Sequence, residues 1–368
     1  MRRVAVLAGL VAAFFAAPLD AAFLSAPLDA AFLSAPLDAA FLSAPLDAAT
    51  PPSTNAAHPD ARAEWWYYTG HLETAAREEF GFELTFFRAR LGDGDDVDAA
   101  HFALTDVGRR SFRWAEKLHR PFPGIAGADS GRLAVFIEDW ETREEGGVHL
   151  LRASMPEAAI ALRLEPRKPP VRNGAGGISR KGPRPDEYSN YVSIPRLFVS
   201  GTLTRGGKAE PVSGIAWFDH EFGPGGLPED LAGWDWFAVQ LSDGTEAMLY
   251  RLRAKSGGES PFSQGTFVAR DGTAFPLSAG DFSVEATGRW RSPHTAATYP
   301  SGWRLRVPSR GLDLAVTPRV ADQELVTNRS TRVTYWEGAC AVAGTARGVP
   351  VTGKSYVELT GYAGGALP

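Results

Sequence analysis

The 368-residue chain holds one cysteine, Cys340, so no internal disulfide can form. Cys340 lies in the alternating apolar run "YWEGACAVAG" with no base beside it, which favours a packed thiol over a reactive one. The chain also lacks HExxH, a thiolate pair and a second histidine cluster. Its histidines outside the "FDHEFG" stretch stand apart at 58, 71, 101, 119, 149 and 294, so no metal is expected. There is no G-x-S-x-G elbow for a serine nucleophile, and no G-x-G-x-x-G or phosphate loop for a nucleotide, so no cofactor is expected either. Lys and Arg number 38 against 43 Asp and Glu, a net charge of −5 that offers no basic face to nucleic acid. Past the N-terminal leader, no apolar pattern of three or more helical turns occurs.

What is present begins with a leader. "MRRVAVLAGLVAAFFAAPL" has a basic start and an apolar segment too short for a membrane span, which reads as a Sec-type signal peptide. Export to the periplasm or medium, with no transmembrane anchor in the mature form, is the expectation. "APLDAAFLS" then repeats perfectly at 17–25, 26–34 and 35–43 and partially at 44–49. Identical nine-residue units match no solenoid period and read as a tandem duplication in an export and linker segment. Residues 1–57 are therefore assigned to leader, repeats and linker.

From Glu64 onward the period is two. In "FGFELTFFR" (80–88), Phe82, Leu84 and Phe86 share one face, with Glu83 and Thr85 opposite. Many such short runs bounded by Gly, Pro, Asp or Asn predict an all-β protein of antiparallel barrels or sandwiches. "WWYYTGHLE" from Trp65 and "WDWFAVQLS" from Trp234 echo one another, and the Gly/Pro-rich "EFGPGGLPEDLAG" lies between them. Two β units follow, 58–228 and 229–368. The long loop 165–191, ending near Tyr188 and Tyr191, is either a lid over an apolar pocket or a solvated insertion.

Chemistry concentrates in "GIAWFDHEFG" (214–223). Strand alternation places His220 with the apolar Ala216, Phe218 and Phe222, and Trp217, Asp219 and Glu221 on the other face, which alone favours a core histidine. The adjoining Gly/Pro connection offers a place where the strand can break and turn all three polar residues into one cleft. The aromatic clusters "EWWYY" (64–68) and "GWDWF" (233–237) pack a core in their plainest reading. Lining a cavity, such rings would instead stabilise a developing carbocation, with acids of raised pKa nearby.

Together "EWWYYTGHL", "GIAWFDHEFG", "GWDWFAVQLSDGTEAMLYRLR", "GRWRSPHTAATYPSGWRLRVP" and "YWEGACAVAGTARGVPVTGKSYVELTGY" resemble the AttH-like, hydroxyneurosporene synthase (carotenoid hydratase) family across about 58–363. The resemblance implies two lipocalin-like β domains and a pocket near their junction. The family it resembles includes hydratases, and the expectation is hydration of a C=C bond in a small hydrophobic, isoprenoid or lipid-like molecule. Asp219, His220 and Glu221 are then the catalytic candidates: a carboxyl to protonate the alkene, and His220 to orient water. Glu64, Trp65, Trp66, Tyr67, Tyr188, Tyr191, Trp234, Asp235, Trp236, Gln240 and Tyr250 are the substrate-binding candidates. The rival expectation is a non-catalytic lipocalin-type carrier or accessory of an envelope transport system. An enzyme needs a buried carboxyl on an apolar pocket, whereas a carrier needs only the pocket.

Overall fold

The computed structural model describes residues 55–91, 96–225 and 227–364, and the leader and nine-residue repeats lie outside them. Among the described residues there are strands and single 3-10 turns but no α-helix, and no helix long and apolar enough to cross a membrane. A thirteen-stranded antiparallel sheet curls into a nearly closed barrel, and a ten-stranded sheet forms a half-barrel.

The strands that carry the site are labelled in chain order. The first sheet supplies β1 (Ala63–Thr74), β2 (Glu79–Ala89), β3 (Val97–Asp106), β4 (Ser111–His119), β5 (Tyr188–Arg205) and β6 (Lys208–Gly223). They run side by side as β4-β3-β2-β1-β6-β5, and strands between residues 126 and 180 complete the sheet. The second supplies β7 (Leu231–Leu241), β8 (Glu246–Ala254), β9 (Thr334–Ala346) and β10 (Val349–Thr360), in the order β8-β7-β10-β9. The two echoing aromatic segments are β1 and β7. Each opens its sheet and pairs with the next strand and with the last long strand of its unit.

Alternation sends one face of each strand into a packed lumen. Trp66, Tyr68, Phe80, Phe82, Phe86, Phe102 and Trp140 fill the first barrel, and Phe237, Trp303, Trp336 and Tyr299 the second. Where the two sheets meet, the opposite faces do not look to solvent either: Glu83, Thr85, Asp219 and Glu337 are all buried. The two sheets press these faces together at the junction, where Tyr67, Tyr191, Trp217, Trp236, Met248 and Tyr356 form a third apolar cluster.

The 165–191 loop is neither a free lid nor a solvated insertion but a strap across the junction. Its short strands Val171–Arg172 and Ile178–Arg180 pair with β5. Lys168 Nζ donates to the Gly244 and Ala269 carbonyls (2.7 and 2.6 Å) and pairs with Glu246, while Thr266 Oγ1 donates to Asn173 Oδ1 (2.7 Å). Each bond runs from strap to second unit, satisfying backbone and charge that burial would otherwise strand.

Candidate active site

Register alone assembles the wall of a cavity. Across the first sheet, Ser193, Asp219, Tyr67, Thr85, His101 and Glu116 stand opposite one another in sequence, one per strand from β5 to β4. The neighbouring row is Tyr191, Glu221, Trp65 and Phe87. Across the second sheet, Tyr250, Trp236, Glu358 and Glu337 form one row, and Leu252 with Trp234 and Thr360 with Tyr335 lie alongside it. Between these faces lies a cavity of ≈ 200 Å³, lined mostly by carbon, with Asp219, Glu221, Lys181, Tyr191, Tyr250, Trp65, Trp234 and Trp236 at one end. His101 and Tyr335 line the other end. Asp219 and His101 are three strand spacings apart in one row, about 14 Å.

Asp219 is buried and accepts three hydrogen bonds: from Tyr191 Oη to Oδ2 (2.6 Å), and from Ser193 Oγ (2.5 Å) and Trp217 Nε1 (2.7 Å) to Oδ1. Burial raises its pKa to about 7 in spite of those donors, and the Glu221 charge adds to the rise. It can therefore hold or release a proton near neutrality. Glu221, two residues on and on the same face, pairs with Lys181 (2.8 Å) and accepts from Ser189 Oγ. Burial works against the Lys181 ammonium, but Glu221 and Tyr250 outweigh it and hold its pKa above the ordinary lysine value. Its Nζ also sits 4.4 Å from the Tyr250 ring centre and 5.4 Å from that of Tyr191. Two adjacent carboxyls thus carry different duties: one shares its surroundings with neutral donors, the other is tied to a cation.

Of the sequence candidates, Trp65, Tyr67, Tyr188, Tyr191, Trp234, Trp236, Tyr250, Asp219 and Glu221 line this cavity. Four do not. β6 keeps its pairing with β1 unbroken from Gly223 to Val212, so His220 stays on the lumen side, stacked on Trp66 (5.0 Å) and bonded to Glu64 Oε1 (2.9 Å). It cannot orient water beside Asp219. Trp66 shares that lumen face and donates to the Asn55 carbonyl (2.9 Å). Asp235 points away from the junction to Arg251, Arg253 and Tyr362. Gln240 lies beyond the cavity and pins the units by donating to the Pro195 and Ala216 carbonyls, each at 2.9 Å. Glu64 borders the cavity, yet its carboxylate serves His58, His220 and Arg88 (2.9, 2.9 and 3.3 Å). Burial opposes that charge, but the bonds from His220 and His58 outweigh it and hold the Glu64 pKa low.

His58, Glu64 and His220 bring three ligand-type atoms within 4.8 Å, a gathering that the scattered histidines of the sequence did not announce. Each contact is accounted for by hydrogen bonds, and Arg88 already meets the carboxylate's charge. Sequence reasoning also missed Lys181, Glu358, Glu337, His101 and Tyr335. Alternation in "SYVELTGY" groups Glu358 with Tyr356, a usable hint, whereas nothing local marks Lys181. Burial lifts the Glu358 pKa to about 7, with Glu221 and Asp219 reinforcing it against a bond from Trp234. Burial likewise lifts Glu337 and Glu83, and Tyr67 Oη donates to Glu337 Oε1 at 2.7 Å.

The fold and these motifs have relatives. A dehydratase of Emericella nidulans, asqC, is 21% identical over 215 residues, which span 57% of this chain and 60% of that protein's length. A crystal structure of a Nitrosomonas europaea protein assigned to AttH superposes with a TM-score of 0.78 and 33% identity, over 87% of this chain and 99% of the other. Kievitone hydratase of Nectria haematococca has the same fold at a TM-score of 0.67 and 16% identity, over 84% of this chain and 95% of its own. The AttH-like sequence profile matches residues 44–362, a stretch that contains every strand of both sheets and all of the junction cavity, and the chain belongs to the AttH-like family.

Proposed function

We propose that the protein is an exported hydro-lyase that adds water to, or removes it from, a C=C bond of an isoprenoid or lipid-like molecule held in the junction cavity. The observation that carries this reading is Asp219: a fully buried carboxyl, poised near neutrality, on the wall of an apolar, aromatic-lined space. A carrier has no use for such a group, and its burial raises the energy of its charged form. The hydratase and dehydratase activities named for two relatives agree with it.

In hydration, protonated Asp219 gives its proton to one alkene carbon, and the positive charge forms on the other. The π faces of Trp65, Trp234 and Trp236 stabilise that cation. Water bonds to the cation through oxygen and returns one proton to the Asp219 carboxylate, so the enzyme ends as it began. Dehydration runs the same steps backwards.

The test is incubation with acyclic isoprenoid alkenes and their tertiary alcohols in heavy-oxygen water. Label enters the alcohol with wild type, and Asp219→Asn lowers the rate by about 10²–10⁴-fold. No label from any member of the panel, together with a lipid that stays bound through purification, would overturn the enzyme in favour of a carrier.

A further inference from the structure

The end of the cavity remote from Asp219 has chemistry of its own. Glu116, on β4, takes at Oε2 both the backbone N–H of Ser330 (2.9 Å) and its hydroxyl proton. With its proton so committed, Ser330 Oγ must accept from His101 Nε2, 2.9 Å away. Burial holds the His101 pKa down to about 3, so the ring is neutral and its Nδ1 bears no hydrogen. Nδ1 therefore accepts from the Tyr335 hydroxyl at 2.6 Å. The sense of each bond is dictated by the carboxylate at the outer end, and the chain runs inward until it reaches the cavity wall.

We propose that the cavity selects an apolar ligand bearing one hydroxyl group, and that Tyr335 is the specificity residue, accepting that hydroxyl's hydrogen bond. Resting on the reading of this cavity as the substrate site, the assignment names the substrate class. Tyr335 has already donated its proton to His101, so what it offers the cavity is oxygen lone pairs. A ligand O–H satisfies them, whereas an ether oxygen meets them lone pair to lone pair. A carboxylate fares worse, because it too brings only lone pairs and carries its charge into a cavity lined mostly by carbon. The rows of Asp219 and His101 stand about 14 Å apart, so one elongated molecule can meet both ends of the cavity. A cavity of ≈ 200 Å³ holds on the order of ten non-hydrogen atoms.

Geraniol, with a hydroxyl at one end and a trisubstituted alkene at the other, meets both conditions and is the probe. Its equilibrium binding to the full chain is measured by quenching of tryptophan fluorescence, beside geranyl methyl ether and geranic acid. Wild type should bind the alcohol about tenfold more tightly than either analogue. Tyr335→Phe should reduce that ratio to about twofold or less. Ser330→Ala frees His101 to take its other tautomer and release the Tyr335 proton toward the cavity, so the preference for alcohol over ether should fall similarly, with the melting temperature monitored as a control for folding. Equal binding of the three probes by wild type, an unchanged ratio in either variant, or no saturable binding of any probe would overturn the assignment. A preference for the alcohol without label incorporation would retire the hydro-lyase and leave Tyr335 in its role; incorporation without the preference would do the reverse.

Discussion

Replacing Asp219 by Asn should remove activity and, above neutrality, make the protein more stable. The folded pKa of about 7 stands about three units above the ordinary aspartate value of 3.8. Between those values the folded state binds more protons than the unfolded chain, so stability falls as pH rises through that window and levels off beyond it. Three units correspond to a penalty of about 4 kcal/mol at pH 8, which an amide escapes because it cannot ionise. Against this stands one hydrogen bond. Ser193 and Trp217 both donate to Oδ1, so the Asn oxygen takes that place and its NH2 faces Tyr191 Oη, a donor left without an acceptor. That mismatch costs about 1–2 kcal/mol at every pH. The variant should therefore be less stable than wild type at pH 4, match it near pH 5, and exceed it by about 2–3 kcal/mol at pH 8. Urea unfolding followed by tryptophan fluorescence from pH 4 to 9 reads the difference. Parallel stability curves, or a variant weaker at every pH, would mean that Asp219 is charged in the folded protein, and the proton donor of the proposed reaction would be lost with it.

His220→Ala should lower stability by about 2–4 kcal/mol, because it opens a hole against Trp66, while turnover per folded molecule changes less than threefold. A thousandfold loss of turnover with the fold intact would return His220 to the catalytic role suggested by its sequence position. Lys181→Met should cost about 3–5 kcal/mol by leaving Glu221 buried without its cation, and Lys181→Met with Glu221→Gln should recover most of it. Additive losses in denaturant melts of the two single and one double variant would show that the pair is not coupled.

Alternation told which residues share a strand face, and in "GIAWFDHEFG" it told the truth: His220 lies opposite Asp219 and Glu221 because nothing breaks β6 before Gly223. The Gly/Pro connection suggested a break, but its first three residues, Glu221, Phe222 and Gly223, keep the ladder as far as Ala63. The same alternation in "GWDWF" separates Asp235 from Trp234 and Trp236, as the structure does. What a period of two cannot say is which face meets water. Glu83 and Thr85 carry the polar signature of an outer face and are buried because a second sheet covers them. The aromatic echo of β1 and β7 was the legible sign of that covering, since it places Trp65 and Trp234 on facing walls of one cavity. Lys181 and Tyr335 were out of reach for a different reason. Lys181 stands 40 residues before Glu221, on a strap whose path is set by bonds to the second unit. The direction of the Tyr335 hydroxyl is set by Glu116, 219 positions earlier in the chain. Alternation is a local property of one strand, whereas the charge, protonation and hydrogen-bond direction of each group at this junction are decided by the strand that arrives from the other unit.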